Sequence, residues 1–227
     1  MTRETRSRDH IIANSWYPET TPASVQRWTV FACKKCNHEL GIIEQEMFIR
    51  LGLCLDPNAP GANEIVSRAL AALDPQLATN AQEAEKRRQV RHRISKDVEE
   101  LPELPGIGVL PAFKANWDLG SRTGIRIDPQ QLHRVVQKWV KGLHFRITER
   151  LIPDWDSINV RHITAETEAH AFREIEPYAM KYNKGPGIQV LQFSASENGQ
   201  NATIYRFVIW DQYRVHATIF EDDASGT

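Results

Sequence analysis

The sequence predicts an α+β protein: a β–β–α segment at the start, a helical middle, and a closing region of one helix plus an antiparallel sheet. Three observations predict this class. Two short β-rich runs near the N-terminus lead into a helical pattern. The middle of the chain is dominated by helical spacing and charge. After Pro153, β-rich runs follow one another, the last two joined by the short Asp211-Gln212-Tyr213 connection.

Taken in order, residues 6–13 form a short strand ending at Asp9-His10, and Asn14–Ser24, rich in Pro, Thr and Ser, forms a loop. Gln26–Cys33 has the Trp, Thr, Val and Phe composition of a second strand. From Asn37 on, Leu40, Ile43, Met47, Leu51 and Cys54 recur at helical intervals among Glu39, Glu44, Gln45 and Glu46. Asp56–Gly61 breaks that helix, and Asn63–Leu73 starts another. Ala81–Glu100 is charged and poor in apolar residues, which reads as an exposed helix. Leu101–Pro111 holds three prolines and two glycines and serves as a linker. A helix then opens with Asp128 as N-cap, Pro129 in the first turn and Gln131 completing a capping box. Leu132, Val135, Val136, Trp139, Val140 and Leu143 share one face of it. Ser157–Thr164, Gly187–Ser194, Ala202–Trp210 and Arg214–Phe220 predict a sheet of about four strands, packed by the 129–143 helix. The expected domains are 1–55, 56–106 and 107–227.

The 227 residues suffice for a sizeable core without disulfide staples. A formal net charge of −1 gives no whole-chain signal for a nucleic-acid partner, so any electrostatic footprint is local. Three cysteines, two of them in a Cys-x-x-Cys pair, point to a reducing compartment and to metal or redox chemistry. No apolar run approaches the roughly 20 residues that cross a bilayer, and Met1–Arg8 lacks the apolar stretch of a signal peptide. The expected location is the cytoplasm, with no membrane partner.

The chemistry concentrates in Asp9-His10 and in Cys33-Lys34-Lys35-Cys36-Asn37. Phosphodiester hydrolysis needs an activated water and stabilised oxyanions. A near-neutral histidine supplies a general base, and a divalent ion supplies the stabilisation. Neighbouring residues at a strand end point to opposite sides, so Asp9 can face a metal while His10 faces the water. A second oxygen ligand suits the start of the following helix, where Asn37 stands.

The stretch RDHIIANSWYP…RWTVFACKKCNHELG resembles the HNH (ββα-metal) nuclease motif over roughly residues 6–50. The resemblance implies an N-terminal ββα-metal module and a metal-dependent endonuclease acting on nucleic acid, DNA foremost. His10 is then the catalytic base, and Asp9 and Asn37 are ligands to Mg²⁺ or Mn²⁺. Two positions depart from the pattern. Trp28 stands where the family has a central Asn that orients the histidine loop, so another group must do so here. Ala13 replaces a proline often found after Asp-His-Ile-Ile.

Zinc-stabilised relatives pair such a knuckle with an upstream Cys-x-x-Cys. Cys33 and Cys36 therefore imply a structural Zn²⁺, which needs four ligands, and the expectation follows that the natural chain starts upstream of Met1. His38 is open to either role, third zinc ligand or auxiliary at the catalytic metal, and Cys54 reads as a core thiol. Lys34, Lys35, Lys86, Arg87, Arg88 and Arg91 are the candidate nucleic-acid contacts. For the last four, flanked by Glu83, Glu85, Asp97, Glu99 and Glu100, a solvated helix face is the rival reading. Lys138, Lys141, His144 and Arg146 either extend a basic track or complement the helix dipole. The alternative function is a catalytically inactive zinc-knuckle module that binds nucleic acid or protein.

Overall fold

The structure, a computed structural model, describes residues 5–56, 62–101, 109–111, 122–162, 172–173, 175–185, 187–197 and 200–222. In chain order the elements are β1 (Arg6–His10), β2 (Thr29–Cys33), α1 (Lys34–Leu53), α2 (Ala62–Ala71), α3 (Ala81–Lys96), β3 (Val98–Leu101), β4 (Val109–Pro111), β5 (Arg122–Arg126) and α4 (Pro129–Thr148), then β6 (Ile158–His162), β7 (Met180–Gly185), β8 (Ile188–Glu197), β9 (Gln200–Ile209) and β10 (Tyr213–Asp222). This is an α+β architecture with a β–β–α order at the start and an antiparallel sheet at the end. The chain forms two compact units, one made of Met1–Lys34 with His133–Thr227, the other of Lys35–Leu132.

In the first unit the sheet order is β6-β10-β9-β8-β7, antiparallel throughout. It has five strands where the sequence predicts about four. The extra strand, β7, reads Met-Lys-Tyr-Asn-Lys-Gly and lacks an apolar alternation to announce it. Alternate residues on one sheet face are buried: Ile188 and Val190 on β8, Tyr205, Phe207 and Ile209 on β9, Val215, Ala217 and Ile219 on β10. The register sets Val190 beside Phe207 and Phe207 beside Val215. Helix α4 lies on this face, with Trp139 tilted against Phe207 at 5.5 Å and His144 bonded to Tyr205. Its Val135, Val136, Trp139, Val140 and Leu143 are all buried, as their spacing predicts, and the helix runs on past Leu143 to Thr148. Each fully buried aliphatic side chain here contributes about 1.5–3 kcal/mol of transfer free energy.

The β1–β2 hairpin belongs to the same unit, antiparallel with Arg6 opposite Cys33 and His10 opposite Thr29. The Ile11 amide donates to the Trp28 carbonyl at 3.0 Å, one residue beyond the strands. The connecting loop carries a single 3₁₀ turn, Asn14–Trp16, that delivers Trp16 into the core. Trp16 stacks on Trp210 at 5.1 Å and meets Trp139 edge-on at 4.9 Å. The Trp210 indole N–H donates to the Trp16 carbonyl at 2.8 Å. Trp210 and Asp211 turn the β9–β10 hairpin with φ of 52° and 57°, a left-handed backbone that costs non-glycine residues about 1–3 kcal/mol each. The ring stack and indole hydrogen bond offset that cost for Trp210. Gly142 lets α4 approach the hairpin, since a Cβ there would lie 2.8 Å from Ile11 Cγ1.

The second unit packs the later half of α1 (Met47, Phe48, Ile49 and Leu51, all buried) with α2. Gly52 meets α2 closely; its added Cβ would sit 2.8 Å from the Ala69 Cβ. Arg50 is buried and shared between Glu46 at 2.9 Å, Asp97 at 2.7 Å and the Arg126 carbonyl at 2.7 Å, so α1, the end of α3 and β5 meet at one guanidinium. Asn80 caps α3 through the Glu83 amide, and the Glu83 carboxylate accepts from the Thr79 amide and hydroxyl. The segment expected as a linker is flanked by strands: β3 and β4 both pair with β5 in a three-stranded sheet. Residues 102–108 of that expected linker, and 57–61 of the expected helix break, lie outside the described residues.

Candidate functional site

His10 is the last residue of β1 and is only partly buried. Its Nε2 lies 3.0 Å from the Asn14 side-chain nitrogen. An amide nitrogen only donates, so Nε2 accepts and the neutral ring carries its proton on Nδ1. That Nδ1 is buried without a hydrogen-bond partner, an exception among folded proteins. Asn14 is exposed, and its carbonyl oxygen accepts from Arg27 Nη1 at 3.3 Å. Burial pushes the His10 pKa below 6.5, Asp9 opposes this, and the charges of Arg27, Lys138 and Arg8 add to the lowering. The imidazole is therefore neutral at pH 7 and stands in a cationic field.

Asp9 points the other way, as strand alternation requires. It is buried, and its Oδ1 accepts from Lys138 Nζ at 3.0 Å, with only 7% of the Lys138 side chain and 10% of the Asp9 side chain exposed. Lys138 sits beside Trp139 on the buried side of α4 and is not part of an exposed basic track. His144 also leaves that track. It is buried, with Nδ1 3.1 Å from the Tyr205 hydroxyl and Nε2 3.3 Å from Glu221 Oε1. Burial lowers its pKa, and Glu221 opposes the shift.

Asp9 and His10 lie in the first unit, whereas Asn37 and His38 lie on the first turns of α1 in the second. There Asn37 and His38 line a groove of about 550 Å³ with Ile42, Glu46, Lys86 and Arg87. The other expected nucleic-acid contacts divide. Lys34, Lys86 and Arg91 are exposed, and Lys35 reaches Glu39 at 3.9 Å. Arg87 donates to Glu83 at 2.6 Å and to the Ala71 carbonyl at 2.6 Å, which ties it into its own unit; Arg88 pairs with Glu85 at 2.9 Å. Asn14 and Arg27, the neighbours of His10, are residues that the sequence did not single out; Lys138, expected on a basic track or at the helix dipole, is instead the partner of Asp9.

Among the described residues, no three His, Cys, Asp or Glu side chains gather where they would hold a metal ion. Asp9 already holds an ammonium group, so as arranged it does not fit a divalent ion. Cys33, at the end of β2, and Cys36, in the first turn of α1, are disulfide-bonded, and Cys54 is free and buried. Zinc is bound by thiolates, so the oxidised pair does not fit zinc in this state. Burial pushes the Cys54 thiol up to about 12, which makes it inert. Among the described residues no helix is long and apolar enough to cross a membrane. Set against protein-family models, curated proteins and solved structures, the chain matches none.

Proposed function

We propose that this chain hydrolyses phosphodiester bonds of nucleic acid, DNA being the expected substrate, with His10 as general base. The observation that carries the reading is a neutral imidazole closing β1 of a β–β–α segment, its Nε2 lone pair turned to the exposed Asn14 amide. A water that displaces this amide meets the lone pair. His10 takes a proton from that water, the hydroxide forms the new P–O bond, and the old P–O bond breaks to an alkoxide that is protonated from solvent. Arg27 and Arg8, whose charges add to the lowering that burial imposes on His10, also attract the phosphate anion. The resemblance to HNH nucleases would assign Asp9 and Asn37 a Mg²⁺ or Mn²⁺ ion; Asp9 holds Lys138 instead, so no step here passes through a metal.

A plasmid-nicking assay in Mg²⁺, Mn²⁺ or EDTA, with wild type beside His10→Ala, tests this. Nicking by wild type and its loss in the variant support the proposal. DNA retained in a gel shift without nicking by wild type overturns it and favours the non-catalytic binding module. The Asp9–Lys138 pair, which leaves Asp9 without room for a catalytic metal, speaks for that module.

A further inference from the structure

We infer that Lys138 is the resident cation of Asp9, standing where the HNH resemblance would put a divalent metal ion. This goes beyond the proposed hydrolysis and does not depend on it. The two charged atoms are 3.0 Å apart and nearly sealed from solvent. Burying either alone is costly, whereas together they are neutral. Neighbouring contacts hold the pair in place. One residue along α4, Trp139 receives Trp16 edge-on, and one turn along, Gly142 receives Ile11. Lys138, Trp139 and Gly142 thus meet the hairpin and its loop as one docked face. A divalent ion added here would bring three positive charges against a single carboxylate, with Arg8 and Arg27 also close enough to act on the neighbouring His10. Asp9 and Lys138 are 129 positions apart in sequence, so the pair also fastens the start of the chain to α4.

The test uses the full chain and Mn²⁺ alone, read by electron paramagnetic resonance and by thermal melting. Wild type and Asp9→Asn should bind Mn²⁺ equally, and the wild-type Tm should not move between Mn²⁺ and EDTA. Lys138→Ala should lose roughly 10 °C in Tm. It should also gain a Mn²⁺-dependent recovery that is absent from the Asp9→Asn/Lys138→Ala double variant, a response that a purely packing role for Lys138 would not produce. Mn²⁺ binding by wild type that disappears in Asp9→Asn would overturn the inference, as would failure of Mn²⁺ to stabilise folded Lys138→Ala. Should Lys138→Ala not fold, the wild-type comparison with Asp9→Asn decides. None of these readouts involves cleavage, so loss of the nuclease reading leaves the result interpretable.

Discussion

His10 and His144 sit in the same unit, and burial holds both below the ordinary histidine pKa of 6.5. Their surroundings separate them. His144 is 1% exposed and faces the Tyr205 hydroxyl on one side and Glu221 on the other. Both ring nitrogens have a polar neighbour within 3.3 Å. Each ring keeps one buried nitrogen without a hydrogen bond, Nε2 in His144 and Nδ1 in His10, but His10 offers its other nitrogen to an exposed amide that a water can replace. A lowered pKa therefore does not mark a catalytic histidine. An accessible lone pair is the further requirement: in the proposed hydrolysis His10 meets it as the base, whereas His144 braces α4 against the sheet.

The sharpest way to break this contrast is His10→Ala. It should reduce DNA nicking by about 10²–10⁴-fold while leaving the melting curve nearly unchanged; a large fall in Tm would make His10 another brace. Trp16→Ala removes the ring that joins the hairpin loop to both Trp139 and Trp210, and should cost about 3–5 kcal/mol in urea denaturation. His144→Ala should cost about 2–4 kcal/mol, since it opens a cavity and strands two polar partners, with nicking per folded molecule retained. Gly142→Ala drives a Cβ into Ile11 and should cost about 1–3 kcal/mol, read in the same denaturation series.

Acid gives the smallest effect. A histidine whose folded pKa is depressed contributes stability that is complete above the unfolded value of 6.5 and is lost as pH falls from there through the folded value. The wild-type Tm should hold above neutrality and decline below 6.5, and His144→Gln should blunt that decline.

Much of the fold was legible because it is local. Asp128 does accept from the Gln130 amide at 2.9 Å and α4 does start at Pro129, since a cap and a following apolar stripe are written in adjacent residues. The long strands β8, β9 and β10 each carry their own alternation. β7 and the three short strands β3, β4 and β5 carry little, and tertiary pairing makes them. Asp9 and His10 were legible as neighbouring polar residues at a strand end, but their partners were not. Asn14 lies in a loop whose composition predicts only a turn, and Lys138 meets Asp9 across most of the chain, where no periodicity reports it. The discontinuous first unit escaped for the same reason: Met1–Lys34 joins residues that begin at His133.

The most direct test of the central claim is the pH–rate profile of plasmid nicking for wild type, His10→Ala and His144→Ala, each corrected for the folded fraction. The account predicts a wild-type rate that falls on acidification with one protonation below pH 6.5, the same profile in His144→Ala, and in His10→Ala a rate about 10²–10⁴-fold lower that lacks this protonation. A His10→Ala protein that nicks at the wild-type rate with the wild-type profile would contradict it.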